Sequence, residues 1–273
     1  MNVDLHTHST ASDGELKPAE LLREADAAGV ELLAITDHDT LDGYSQAASA
    51  THNCKLIPGI ELSTTWRKIG IHVVGLNPDP HDSQLLAGIR LQKQARLERG
   101  ARIAARLTKA GFGDTLDGAK EIAGDAILGR PHFAQYLVQS GQIKDMRTAF
   151  KKYLGQGKVG DVRENWASLE EVIDWISNAG GLAIVAHPAK YKLTHLKLEE
   201  LAREFAELGG HGIEVVSGRQ IGSLTDRLAR LATRHGLLAS VGSDFHQAGK
   251  HWAGLGEVAT LPATCTPVWE TWL

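Results

Sequence analysis

The stretch that decides the fold reads Val3-Asp4-Leu5-His6-Thr7-His8, then Pro18-Ala19-Glu20-Leu21-Leu22 running on to Ala28-Gly29, then Leu32-Leu33-Ala34-Ile35-Thr36-Asp37-His38-Asp39. Val3 to Leu5 is a short apolar strand. Pro18 to Ala28 reads as a helix, because Pro18 suits a first helical turn, Leu21 and Leu22 set an apolar face and Gly29 ends it. Leu32 to Ile35 is a second strand, apolar along its whole length. The unit is therefore strand, helix, strand, with His and Asp placed just beyond each strand.

Working outward, the same alternation recurs. Strands are predicted near Leu56 to Ile60, His72 to Leu76, Leu182 to Ala186, Gly212 to Val216 and Leu238 to Val241, about seven in all. Apolar strands separated by helices predict an α/β fold with a parallel sheet covered on both faces. The unusual side chains follow these strands: His6 and His8, Asp37 and His38, Glu61, His187, then Asp244 and His246. They would share the carboxyl-end face, where barrel enzymes place their active sites, which favours a closed or nearly closed barrel. An open doubly wound sheet is the alternative that periodicity does not separate.

Between about Ala95 and Ala167 the alternation breaks into mostly helical sequence, with helices expected at Ala101 to Ala110, ended by Gly111, and at Pro131 to Val138. Residues 1–94 and 168–273 are thus expected to form the barrel and 95–167 a helical insertion acting as a lid. Ser168-Leu169-Glu170-Glu171 is a capping-box signal that restarts the barrel with a helix to Asn178. The insertion holds 13 Lys and Arg against 8 Asp and Glu; the formal total of −4 leaves −9 for the body. An acidic body suits several cations and a basic insertion suits an anionic substrate. On charge alone, a solvated arginine face explains the insertion equally well.

The chain has 273 residues, 42% hydrophobic and 23% charged, which supports a folded globular protein and not a disordered or fibrous one. Only Cys54 and Cys265 are present, arguing for a reducing compartment and against a thiolate zinc site. No apolar run reaches the roughly 20 residues that cross a bilayer. Met1-Asn2-Val3-Asp4 lacks the basic and then apolar segments of a signal peptide. The expected location is the cytoplasm, with no membrane and no obligate protein partner.

A lone His at a strand end is usually structural, but His6 and His8 lie two apart on an extended segment and point the same way, as do Asp244 and His246. Imidazole and carboxylate ligate borderline divalent metals, and neither fills an apolar interior economically. Glu61, directly after Pro58-Gly59-Ile60, is costly to bury unless charge-paired or metal-bound. Asp13 in Ser12-Asp13-Gly14 also reads as an ordinary turn residue, and His72 before Val73-Val74 as a core histidine. His187 sits in Ala186-His187-Pro188. His52, His81, His195, His211 and His235 lack acidic or His partners at ligand spacing and read as structural.

Taken in order, His6-Thr7-His8-Ser9 with Ser12-Asp13-Gly14, Ile35-Thr36-Asp37-His38-Asp39, Gly59-Ile60-Glu61, His72-Val73-Val74-Gly75, Ala186-His187-Pro188 and Gly242-Ser243-Asp244-Phe245-His246 resemble the motifs of the PHP (polymerase and histidinol phosphatase) family. The resemblance spans the chain to about residue 250, interrupted by the insertion. It implies a distorted (β/α)7 barrel with three divalent metals in its mouth. By motif, His6, His8, Glu61 and Asp244 would hold the first metal. Glu61 would bridge to a second, held also by His72 and His187, and Asp13, His38 and His246 would hold the third. Manganese is the expected ion, with zinc, iron or magnesium as alternatives, and no ligand is missing.

Such a site implies an enzyme, a phosphoesterase in which a metal-bridging hydroxide attacks phosphorus in line, without a protein nucleophile. Arg130 in Gly129-Arg130-Pro131-His132 is placed to aim fixed positive charge at the phosphoryl oxygens, and His132 to bind phosphate or protonate the leaving oxygen. Both also read as cap and surface residues. Lys190 and Arg219 are further candidates for substrate binding. The insertion with Gly-Arg-Pro-His, and Lys190-Tyr191 after Ala186-His187-Pro188, resembles the branch of the family with 3′,5′-nucleoside bisphosphate phosphatases and 5′ to 3′ exonucleases on short RNA, where Arg often stands in place of Lys190. The implied substrates are small nucleotides and short RNA. A histidinol-phosphate-type or other small-molecule phosphatase is the alternative. A metal-dependent amidohydrolase lacks its carboxylated lysine here, and a non-catalytic metal module fits poorly with a full ligand set.

Overall fold

The computed structural model describes residues 1–162, 166–249 and 254–272. Seven strands form one sheet in sequential order: β1 (Val3–Thr7), β2 (Leu32–Ile35), β3 (Lys55–Trp66), β4 (Ile69–Leu76), β5 (Leu182–Val185), β6 (Gly212–Ser217) and β7 (Leu238–Gly242). The sheet curls until its edges meet. Beyond β7, Asp244 N donates to His6 O and His8 N to Phe245 O, each at 2.8 Å, so β1 joins the segment after β7 in a nearly closed barrel.

The expected all-parallel sheet is corrected at β4, which runs antiparallel to both β3 and β5. No helix separates β3 from β4. Arg67 and Lys68, at φ 46° and 65°, turn the chain directly, as both central residues of a tight hairpin do. Neither is Gly or Asn, so the turn carries no standard signal. β3 consequently extends to Trp66, and Glu61 lies within it and not after it. Because β4 is reversed, His72 near its start falls at the end of the barrel where the parallel strands finish. The reversal thus keeps all the His and acidic residues at one mouth.

Helices α1 (Pro18–Ala27), α2 (Asp42–Ala47), α3 (Ser83–Lys109), α7 (Leu169–Asn178), α8 (His195–Glu207) and α9 (Gly222–Arg234) cover the sheet. α7 opens with the predicted capping box, Ser168 Oγ accepting from Glu171 N. Between α3 and α7 stand α4 (Leu116–Ala123), α5 (Arg130–Gln139), α6 (Met146–Ala149) and a π-helical turn, Phe150–Leu154. α3 is much longer than the helix expected at 101–110. Its first half lies on the barrel, with Gly88 against the Trp175 ring of α7, where a methyl group would meet ring carbons at 2.4 Å. Its second half brings Ile103, Ala104 and Leu107 into a separate core with Phe133, Ala134, Leu137, Ala149, Leu154 and Val162. One rigid helix therefore sets where the insertion sits over the barrel mouth. Among the described residues, no helix is long and apolar enough to cross a membrane.

Candidate metal centre

At the barrel mouth the structure brings together His6, His8, Asp13, His38, Glu61, His72, His187, Asp244 and His246. Glu61, fully buried on β3, is the hub: its Oε1 lies 2.8 Å from His72 Nδ1 and 2.9 Å from His187 Nε2. Its Oε2 lies 2.9 Å from His38 Nδ1 and 3.4 Å from both His6 Nε2 and His8 Nε2. Asp244 Oδ1 stands 3.2 Å from His8 Nε2, and Asp13 Oδ1 3.4 Å from His246 Nε2. Ligand atoms of His6, His8 and Glu61, of His38, Glu61 and His72, and of His8, Asp13, His38 and His246 form three groups, each compact enough for one ion. The first group lacks the expected Asp244, the second has His38 where His187 was expected, and the last adds His8 to the expected trio.

These distances match shared ions: two donors each about 2.0–2.2 Å from one metal lie roughly 3 Å apart. Burial supports the same reading. His6 Nε2, both His8 ring nitrogens, His38 Nδ1, His187 Nδ1 and Glu61 Oε2 are buried without a hydrogen-bond partner. Each such atom costs about 1–3 kcal/mol unless something accepts its lone pair, and a cation does. The residues fit divalent metal.

The electrostatics favour ligating protonation states. Burial pushes His8 well below its ordinary pKa, with repulsion from His246 and His38 adding to it, and burial takes His72 down to about 4. Burial acts to raise Glu61, but His72, His38 and His6 together outweigh it and hold the carboxyl well below the usual range. Asp13 is held low in the same way by His246 and His38. His6 is the exception: burial lowers it, yet Glu214 and Glu61 push it up to about 10, a demand for positive charge that an ion on Nε2 also meets.

Backbone strain accompanies the site. His187, Asp39 and Asp244 have φ of 26°, 51° and 54°, values that a non-glycine residue holds only where its surroundings fix it. Gly242 is required by close approach, since a Cβ there would lie 2.2 Å from His6 Cβ. Asp37 shapes the loop that carries Asp13, accepting from Ser9 N at 2.8 Å and from the Ser9 and Ser12 hydroxyls at 2.6 Å.

Glu214 escapes the motif reading. Buried on β6, it accepts from His6 Nδ1 at 2.9 Å and from the His187 amide, which fixes the His6 tautomer so that Nε2 faces Glu61. The legible signal is a charge inside the apolar run Ile213-Glu214-Val215-Val216. Replacing Glu214 by Gln should weaken metal affinity by about 10–100-fold; chelator-competition titration measures it, and an unchanged affinity would show that Glu214 does not orient the ligand.

Over this floor lies a cavity of about 470 Å³ whose other wall belongs to the insertion: Arg96, Arg99, Gly129, Arg130, Phe150, Asp161 and Trp166. Arg130 Nη1 donates to Leu154 O at 3.1 Å and lies 3.6 Å from Asp161 Oδ1. Arg96 and Arg99, which the motifs do not mark, carry their guanidinium carbons 5.3 and 5.4 Å from the Trp166 ring centroid, a cation–π arrangement. Burial, with repulsion from Arg130 and Arg96, pushes Arg99 down to about 9, so it stays charged at neutral pH in a place that favours an anion. Lys190 lines the cavity with its ammonium against Asp244. His132 is buried behind the wall: its Nδ1 accepts from Gly129 N at 3.0 Å, and the ring does not line the cavity. Arg219 is elsewhere, paired with Glu257 at 2.5 Å.

The PHP domain model matches residues 4–210. The chain is 43% identical to a 3′,5′-nucleoside bisphosphate phosphatase of Chromobacterium violaceum, covering 98% of this chain and 95% of that one. It is 44% identical to a 5′-3′ exoribonuclease of Haemophilus influenzae, covering 98% and 97%. Among solved structures, an amidohydrolase from Chromobacterium violaceum with bound sulfate and no metal superposes with a TM-score of 0.91 at 42% identity, covering 99% and 95%.

Proposed function

The chain belongs to the PHP domain family of metal-dependent phosphoesterases, and from that premise we propose that it hydrolyses the 3′-phosphate of nucleoside 3′,5′-bisphosphates, releasing 5′-mononucleotides. The same attack on a short 5′-phosphorylated RNA frees its first nucleotide, as the exoribonuclease relatives suggest. The observation that carries this reading is the two-sided cavity. One wall is rich in metal-ligating groups, and the other presents Arg96, Arg99 and Arg130 beside Trp166. A substrate with a phosphoryl group to be attacked, a second anionic group and a flat base matches both walls.

In this reading His6, His8, Glu61 and Asp244 hold one ion, Glu61, His72 and His187 a second, and Asp13, His38 and His246 a third. Manganese suits the mixed imidazole and carboxylate set, as zinc, iron and magnesium also do to differing degrees. When bound, the ions supply Lewis acidity and lower the pKa of water toward 7. Hydroxide adds to phosphorus, the P–O3′ bond breaks, and the 3′ oxygen takes a proton. With a bisphosphate the products are inorganic phosphate and a 5′-mononucleotide; with RNA the phosphate stays on the shortened chain as its new 5′ end. Arg130 and Arg99 bind the second phosphate and Lys190 an oxygen of the attacked one. His132 serves by fixing the start of α5 beneath Arg130. Residues 95–167 act as the lid, and the two free cysteines suit a reducing cytoplasm.

The test is a substrate panel with manganese-loaded protein: adenosine 3′,5′-bisphosphate, 5′-AMP, histidinol phosphate and a 5′-phosphorylated RNA trimer. Phosphate release from the bisphosphate and stepwise loss of 5′-mononucleotides from the trimer are expected. Preference for histidinol phosphate overturns the reading, although three guanidiniums facing a cationic amino alcohol oppose it. Arg130→Ala should raise KM about 10–100-fold, the effect of losing a charge-assisted hydrogen bond of about 1.5–3 kcal/mol, with metal content unchanged by elemental analysis. Loss of metal instead would place Arg130 in the metal centre.

A further inference from the structure

A cavity of about 470 Å³ is in the range that encloses one small ligand, roughly 300–1,000 Å³. Any RNA longer than the nucleotide being removed must therefore leave through the opening. The exposed residues among the cavity lining mark that opening: Gly70 and Lys190 on the barrel side, Gln156 on the insertion side. The two sides differ in charge. The insertion carries +5, from 13 Lys and Arg against 8 Asp and Glu, and on the barrel side the nearby Arg67 is taken up by Glu200 and Glu204. A polyanion emerging there is turned toward the insertion.

On the insertion side, residues 144–158 run from α6 through the π turn to the loop that holds Gln156. They contain Lys144, Arg147, Lys151, Lys152 and Lys158, all exposed, against one acid, Asp145. Asp145 is engaged in capping α6, accepting from Thr148 N at 2.7 Å. Among the described residues, Lys151, Lys152 and Lys158 have no ion-pair partner. The segment is also held firmly beside the substrate wall. Leu154 O accepts from Arg130, Gly160 N donates to Tyr153 O at 2.7 Å, and Gly157 N donates to Asp161 Oδ2 at 2.7 Å. Phe150 and Leu154 turn inward to the cavity and the insertion core, which leaves Lys151 and Lys152 to the outside.

We infer that residues 144–158 form a sequence-independent track for the RNA backbone downstream of the scissile bond, with Lys151, Lys152 and Lys158 contacting successive phosphates. The inference rests on the nucleotide-hydrolysing reading above. It separates the two substrates: the bisphosphate ends inside the cavity and never meets the track, whereas a longer RNA does. Counterion release then sets the size of the effect. Three single-strand phosphate contacts give a salt slope of about −2, hence roughly a 20-fold loss between 50 and 200 mM salt.

The experiment compares the parent with the triple variant Lys151→Gln, Lys152→Gln, Lys158→Gln, on adenosine 3′,5′-bisphosphate and on a 5′-phosphorylated RNA hexamer at 50 and 200 mM salt. For the parent, kcat/KM on the hexamer should fall about 20-fold more steeply with salt than on the bisphosphate. The variant should lose that extra dependence and at least about 10-fold of its low-salt rate on the hexamer, while bisphosphate hydrolysis stays within two-fold, roughly the limit of such assays. Equal losses on both substrates, or equal salt dependence in the parent, overturn the track. If neither substrate is hydrolysed, the functional reading has failed instead. Fluorescence anisotropy of a labelled hexamer on the same two proteins then tests the track alone, and equal affinities reject it.

Discussion

Replacing Glu61 by Gln should reduce kcat/KM by at least about 10³-fold, some 4 kcal/mol of transition-state stabilisation, while the chain still folds. The side chain keeps its volume, so the packing of β3 against β4 is preserved. What changes is charge and donor pattern. The carboxylate presents two acceptor oxygens to five imidazoles, from His72 at 2.8 Å to His6 and His8 at 3.4 Å. An amide replaces one of those oxygens with two N–H donors, which cannot ligate a cation and would face one. Because Glu61 belongs to two of the three groups that could hold an ion, its loss should disturb more than one of the proposed positions. The expected readouts are sub-stoichiometric metal by elemental analysis and background phosphate release. Full metal content with activity within ten-fold of the parent, roughly what a merely supporting contact costs, would remove Glu61 from the bridging role.

The prominence of Glu61 also explains what could be read from the chain itself. A carboxylate directly after the apolar stretch Pro58-Gly59-Ile60 is expensive to bury, and His-x-His on an extended segment points two rings the same way; such local signals survive without a structure. The nine side chains lie together at one mouth of the barrel. Asp4 and Glu214, also buried, carry the same cost inside their strands, but neither sits in a recognisable motif. The reversal of β4 was hidden because a hairpin turn of Arg67 and Lys68 looks like any polar pair, and because β4 is as apolar as a parallel strand. Arg96 and Arg99 were hidden for another reason. Along α3 they are two of many arginines, and only the docking of the insertion separates cavity-lining from solvated ones.

That docking rests on Asp39, and Asp39→Ala should lower thermal stability severely. Asp39 follows His38 in the chain at φ 51°, and its buried carboxylate accepts from Ser63 N at 2.7 Å, Ser63 Oγ at 3.0 Å, Gln92 Nε2 at 3.2 Å and Arg96 Nε at 2.5 Å. Gln92 and Arg96 are successive turns of α3, so one carboxylate clamps the loop that carries His38 to the helix that carries the insertion. Alanine leaves the Arg96 guanidinium, itself only 6% exposed, buried without its counter-ion, a loss of about 3–5 kcal/mol. At about 2–4 °C per kcal/mol, the melting temperature should fall by roughly 6–20 °C. Asn, which tolerates positive φ and keeps one acceptor, should lose less. A drop under about 2 °C for Ala, the scale of an ordinary surface substitution, would show that the clamp is not structural. Combining Asp39→Ala with Arg96→Met removes both charges, so the double variant should lose clearly less than the sum of the single ones. Acidity acts in the same direction. Burial pushes the Asp39 carboxyl up, but Arg96 foremost, with the Ser63 amide and His38, holds it below its usual 3.8. A depressed carboxyl contributes stability that is fully present above the unfolded value and is lost as pH falls through the folded one. The parent should therefore give up the clamp only below about pH 4, while the Ala variant, having none to lose, should show a flatter stability profile across that range.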